Sequence, residues 1–138
     1  MMSEHTLALL QQIAHGIAVH FGNNCEVLVH DFTADYTNSS IVIIENGNVT
    51  MRKIGDGPSH VVLEALHSDH KTLEDKLSYL TKTKDGRILK SSTMFIRGED
   101  DSIEAVLSIN FDITSMQMAE NVLQQLISPV SAKNEPEN

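Results

Sequence analysis

The chain has 138 residues, 41% of them hydrophobic and 21% charged, and a formal net charge of -9. This length suits one domain with a single core, the composition is globular rather than disordered, and the acidic balance opposes unaided binding to nucleic acid or anionic membranes. The lone cysteine, Cys25, rules out an internal disulfide framework and fits a reducing compartment, and no stretch approaches the ~20 apolar residues of a bilayer span.

The first residues lack the basic flank and continuous apolar run of a signal peptide, so a soluble cytoplasmic protein is expected. Leu7, Leu10, Ile13, Ala14, Ile17 and Ala18 recur at helical spacing and predict a helix over 3–21, with Ser3 as N-cap and Gly22 as stop. Gly16 within it points to close packing. A strand follows over 25–32, with Glu26, Leu28 and His30 on one face and Cys25, Val27, Val29 and Asp31 on the other. After a polar connection at 33–38, residues 40–45 form an isoleucine-rich strand. Asn46-Gly47 is a type I′ turn signal, so 48–51 should pair back as a short strand. Pro58 suits the start of a helix whose apolar face is Val61, Val62, Ala65 and Leu66 and which runs to about residue 68. The charged stretch 69–76 belongs at the surface.

Residues 77–114 carry the clearest pattern, a three-stranded antiparallel meander. Asp85-Gly86 marks a two-residue hairpin turn, placing Leu80 opposite Ser91. A four-residue acidic turn at 98–101 places Ser91 opposite Ser108. One face then collects Ile88, Met94, Ile96, Ala105, Leu107, Ile109 and Phe111 and needs an apolar cover. The other collects Ser78, Leu80, Ser91, Thr93, Ser108, Asn110 and Asp112. A one-residue slip would spoil this division. Thr114-Ser115 signals the N-cap of a last helix over 116–127, striped with Met116, Ala119, Val122, Leu123 and Leu126 and ended by Pro129. The remainder, 129–138, reads as a flexible tail or linker. The expected architecture is α+β, an antiparallel sheet with helices on one face.

Catalytic and metal motifs are weak. The seven histidines show no metalloprotease or Cys/His ligand spacing; His67 and His70, around Asp69, read as a solvated helix end. Cys25 has no base beside it and reads as a buried thiol. His30-Asp31 lacks a serine elbow, and Asp31 suits a backbone contact in the turn after the first strand. Gly55-x-Gly57 lacks the lysine of a phosphate loop and reads as a turn. Lys82, Lys84, Arg87 and Lys90 form a basic cluster that serves either hairpin solubility or contact with an anion. The candidate ligand-binding residues are Ser91, Thr93, Ser108, Asn110 and Asp112, which either meet a polar small molecule or pair with one another.

Three stretches, NCEVLVHDF at 24–32, NGNVTMRKIGD at 46–56 and TKTKDGRILKSSTMFIR through LSINFDIT at 81–114, resemble the PAS-like sensor domain of the YheO-like transcriptional regulators. The resemblance implies a PAS-like sheet with a core at 24–114 and flanking helices at 3–21 and 115–127, together a sensor domain over 1–128. It further implies a cytoplasmic regulator that senses a small effector and acts through a carboxy-terminal helix-turn-helix domain. This sequence ends at Asn138 without such a segment, so DNA contact is expected only through a domain absent from it. No catalysis, metal or cofactor is expected, with haem and flavin disfavoured. A homodimer is expected, with Leu7, Leu10, Ala14 and Ile17 of the first helix at its interface, the other reading being that this stripe covers the chain's own sheet. The alternative is a ligand-free PAS-like dimerisation module.

Overall fold

The computed structural model describes residues 2–33, 39–130 and 137. The connection expected at 33–38 lies, from residue 34, outside the described residues, as does most of the expected tail. The element order is α1 (Glu4–Phe21), β1 (Cys25–Asp31), β2 (Ile41–Glu45), α2 (His60–Leu66), β3 (Lys76–Lys82), β4 (Ile88–Arg97), β5 (Ile103–Asp112) and α3 (Thr114–Ile127). The five strands form one antiparallel sheet in the order β2-β1-β5-β4-β3, so the first and last strands of the chain meet at its centre.

α1 begins where the Ser3 hydroxyl oxygen accepts from the Thr6 amide, satisfying an amide that has no partner within the first turn. It ends at Gly22, whose φ of 89° suits glycine. Its buried stripe, Leu10, Ala14 and Ala18, lies over β1 and β2 and joins Val27, Val29, Ile43, Ala105 and Leu107 in one cluster. Leu10 and Ala14, expected at a subunit interface, are therefore buried against the chain's own sheet. The helices were expected to share one face of the sheet, and they do not. α2 packs on the opposite side, where Val62 and Leu66 meet Phe95, Ile103 and Val106. α3 leaves the end of β5 with no buried residue.

Two turns correct the expected register. The β3–β4 connection is a three-residue loop, closed by Thr83 N–H donating to the Arg87 carbonyl (2.9 Å). Gly86 alone takes the left-handed conformation, at φ 88°, whereas a type I′ turn would need Asp85 there too. Tyr79, not Leu80, therefore faces Ser91, and from Tyr79 to Lys82 the β3 side chains change face relative to the expectation. The acidic turn is also a three-residue loop, closed between Gly98 and Ser102, and an irregularity between Ile96 and Arg97 adds a second one-residue offset. The two offsets sum to a shift of two residues. Ser91 faces Asn110 and Thr93 faces Ser108, in place of Ser91 facing Ser108, but the β4 and β5 faces keep their expected composition.

Residues 48–51 form turns, not the expected strand. Asn46 has the required positive φ of 55°. Its side-chain amide, however, donates to the Gly22 and Cys25 carbonyls and ties the turn to the end of α1. Gly47 is needed for another reason: a Cβ there would sit 2.6 Å from the Arg52 carbonyl oxygen.

Candidate functional site: a polar cleft on the inner sheet face

The sheet face away from α1 is most apolar under α2, with Leu28 and Leu89 beside it. Elsewhere alternation presents Glu26 and His30 from β1, Ser108 and Asn110 from β5, Ser91 and Thr93 from β4, and Tyr79 and Thr81 from β3. Together with the 50–52 segment, the first turn of α2 and the β3–β4 loop, this face bounds an open cleft of ≈ 780 Å³.

A chain of hydrogen bonds crosses the sheet. The Thr81 and Ser91 hydroxyls are 2.9 Å apart, and the Ser91 hydroxyl donates to Asn110 Oδ1 at 2.8 Å. Asn110 Nδ2 donates to Glu26 Oε1 at 3.0 Å. The other Glu26 oxygen accepts from the Thr50 hydroxyl at 2.6 Å and the Thr50 amide at 3.1 Å. With the Ser91 proton committed to Asn110, Thr81 is the donor in the first bond, so every step points toward the Glu26 carboxylate. Glu26 is fully buried. Burial pushes its pKa up, while the bonds from Thr50 and Asn110 and the charge of Arg52 pull it down. Buried polar groups demand such partners, because an unmet one carries a penalty of about 1–3 kcal/mol.

Two groups on the cleft wall lack them. His30 is 1% exposed, stacks on Phe32 and shares a 2.8 Å hydrogen bond between Nδ1 and the Ser40 hydroxyl. Its Nε2 has no partner among the described residues, and neither does the buried Ser108 hydroxyl. Burial, reinforced by the positive charge of Arg52, lowers the His30 pKa to about 4 and keeps the ring neutral near pH 7. Arg52 itself is half-buried on the cleft wall and has no hydrogen bond or ion pair among the described residues. Lys82, Lys84 and Arg87 border the same cleft. Lys90 lies on the other sheet face, opposite Phe111.

Of the residues singled out from sequence, Thr93, Ser108 and Asn110 line the cleft, with Thr93 bonded to the Tyr79 hydroxyl at 2.7 Å. Ser91 is buried behind them in the hydrogen-bond chain. Asp112 stands at the start of α3, where it accepts from the Thr114 amide at 3.0 Å and lies 3.6 Å from Arg87. Glu26, His30, Arg52, Tyr79 and Thr81 were not among the candidate ligand-binding residues, His30 having been weighed only as a metal ligand or half of a catalytic triad. Alternation along β1 already grouped Glu26 with His30, and the missing information was that β1 lies beside β5.

The other sequence candidates have structural roles. Asp31 accepts from the Thr33 amide at 3.0 Å. Cys25 is buried, and burial followed by the charge of Glu26 pushes its thiol pKa up, away from reactivity. His70 is bonded to the Leu66 carbonyl. Among the described residues no group of three or more His, Cys, Asp or Glu is placed to hold a metal, and no helix is long and apolar enough to cross a membrane.

An antiparallel sheet in the order β2-β1-β5-β4-β3, with one face under a helix and the other forming a cleft, is that of a PAS-type sensory domain. The same fold occurs in the structure of an RNA-binding light-oxygen-voltage receptor, which superposes with a TM-score of 0.50 at 17% identity, over 87% of this chain and 37% of that one. The PAS domain of the fruit-fly ELK potassium channel gives a TM-score of 0.47 at 16% identity, over 72% of this chain and 96% of that one.

Within this class the chain belongs to the YheO-like PAS domain family, whose model matches residues 1–128. It is 30% identical over 105 residues to the uncharacterized protein YheO of Escherichia coli (strain K12), a match covering 75% of this chain and 42% of that protein. It is 27% identical over 101 residues to an uncharacterized protein of Haemophilus influenzae, covering 73% and 44% respectively. The chain thus spans less than half the length of these relatives.

Proposed function

We propose that this domain senses a small molecule in the inner cleft and regulates transcription through a helix-turn-helix domain following it in a longer protein. The observation that carries the reading is the pair of buried, unpartnered polar atoms, His30 Nε2 and Ser108 Oγ, on the wall of a cleft large enough for a metabolite. A ligand with hydrogen-bonding groups would satisfy them. The sensor spans 1–128, is cytoplasmic and performs no catalysis.

The route out of the cleft runs through the start of α3. Arg87, in the loop bordering the cleft, lies near Asp112, and the Ile88 amide donates to the Thr114 hydroxyl at 2.9 Å. A ligand that moved the loop would shift these contacts and with them α3, none of whose described residues is buried. The regulator is a homodimer. Its interface uses the α1 flank bearing Leu9 (48% exposed) and Ile13 (42% exposed), rather than the stripe buried on the sheet. Gly16 shares that flank and is open, since a Cβ there would meet nothing within 4 Å.

The test is a thermal-shift screen of the purified domain against anionic, neutral and cationic metabolites, repeated on Ser108→Leu, which would fill the cleft. At least one compound should stabilise the parent and not the variant, with altered hydrogen exchange at the start of α3. A library with no stabilising compound, on a domain that sediments as a dimer, would favour a ligand-free dimerisation module instead.

A further inference from the structure

The sensing reading leaves the chemistry of the ligand open, and the charges around the cleft narrow it. The chain carries a net charge of -9, yet the cleft is bordered by Arg52, Lys82, Lys84 and Arg87. Arg87 is neutralised by Asp85 at 3.2 Å, and its second carboxylate neighbour is Asp112. Arg52 is not neutralised in this way. Its positive charge is felt by the buried carboxylate of Glu26. Both Glu26 oxygens are already occupied, one by Asn110 and the other by Thr50. A half-buried guanidinium with five donors and no acceptor is an incomplete site, and its planar fork matches a carboxylate.

The backbone around Arg52 is built to a tight specification. Met51, immediately before it, has φ of 62°, a left-handed conformation that is costly for a bulky residue, although its side chain is 78% exposed and gains little packing in return. On the other side the Arg52 carbonyl passes so close to Gly47 that any side chain there would collide with it. Two departures from ordinary backbone therefore converge on the placement of one cation.

The remaining walls argue against a phosphate. Leu28, Val62 and Leu89 give the cleft apolar surface, the lysines stand exposed at its border and Arg87 is paired with Asp85, so Arg52 is the partly buried cation of the cleft left without a carboxylate partner among the described residues. One interior charge suits a monoanionic head on a partly apolar body.

Resting on the sensing reading, we infer that the effector is a small organic carboxylate whose carboxylate is bound by Arg52 and whose remaining polar groups meet His30 Nε2 and the Ser108 hydroxyl. Neutral His30 donates at Nε2 when the Ser40 hydroxyl donates to Nδ1 and accepts at Nε2 when Nδ1–H donates to Ser40, so the ring can meet either a ligand acceptor or a ligand donor.

The experiment is a titration of the purified domain with short monocarboxylates, dicarboxylates and α-amino acids, each beside its primary amide, with inorganic phosphate and sugar phosphates as further arms. Parallel titrations use Arg52→Gln, Arg52→Lys and Lys90→Gln. At least one acid should bind while its amide does not. Arg52→Gln should weaken that acid roughly ten- to hundredfold, the loss of a charge-assisted pair. Arg52→Lys should recover part of the affinity, and Lys90→Gln should behave as the parent. The acid–amide comparison is made on the unaltered protein and does not depend on how the variants fold. Amides or uncharged compounds binding as well as the acids, preferential binding of phosphates, or full affinity in a folded Arg52→Gln protein would overturn the carboxylate while leaving sensing intact. A domain that no compound of any charge binds would overturn both.

Discussion

Leu107→Ala tests the outer layer on which the cleft rests. Leu107 is 3% exposed and sits mid-strand in β5, flanked by Val29 on β1 and Met94 on β4. It shares a cluster with Leu10, Ala14 and Val27. The substitution removes three carbons, which at ~0.8 kcal/mol each gives about 2.4 kcal/mol of lost transfer energy. The cavity adds to this, because the neighbouring strands are held apart by their hydrogen-bond ladder and cannot close on it. α1 could settle inward, but both its ends are tied. The Met2 amide nitrogen bonds Asp31 at the front, and the Gly22 turn runs directly into β1 at the back. Incomplete collapse places the total at about 3–4 kcal/mol, inside the range for buried leucines. Urea unfolding followed by circular dichroism would read this as a fall in midpoint of roughly 2 M, for a slope of ~2 kcal/mol/M. Leu80→Ala on edge strand β3, where the side chain is 65% exposed, serves as control and should change stability by less than about 0.5 kcal/mol. Equal effects at the two positions, or a loss below about 1 kcal/mol at Leu107, would show that the helix-covered face is not the core.

Asn110→Ala breaks the hydrogen-bond chain at its junction, removing a neutral bond from Ser91 and a charge-assisted one to Glu26, and should destabilise by about 2–4 kcal/mol in calorimetry; a change under ~1 kcal/mol would mean that water replaces the amide. Acid should expose His30. Its folded pKa of about 4 lies below the ordinary 6.5, so the unfolded chain takes up the proton first and stability falls as pH drops through that window. The parent should lose about 3 kcal/mol more than His30→Asn between pH 7 and 4. Glu26, whose folded pKa is raised, works in the opposite sense and is common to both proteins, so parallel pH profiles for parent and variant would refute a neutral buried His30.

Much of the architecture was legible from local patterns. The spacing of Leu10, Ala14 and Ala18 marked a helix with one buried stripe, and strict alternation separated Leu107 and Ile109 from Ser108 and Asn110. These are properties of 3.6- and two-residue periods, which neighbouring residues impose whatever packs on them. The polar row of β4 and β5 survived even a mistaken turn, because two one-residue offsets added to a two-residue shift, which leaves every side chain on its face. Along β3 there was a single offset, and Tyr79 and Thr81 replaced Ser78 and Leu80 on the cleft face. Asp85-Gly86 is compatible with either a two- or a three-residue loop, and the choice depends on which β3 face the sheet can use. Asn46-Gly47 misled for a similar reason, since contacts with Gly22, Cys25 and Arg52 set its conformation. The Glu26–Asn110 bond joins residues 84 positions apart, and it exists because β1 lies against β5 at the centre of the sheet. The burial of Glu26 and His30 at the centre of the sheet arises from that long-range pairing, and short-range periodicity carries no record of it.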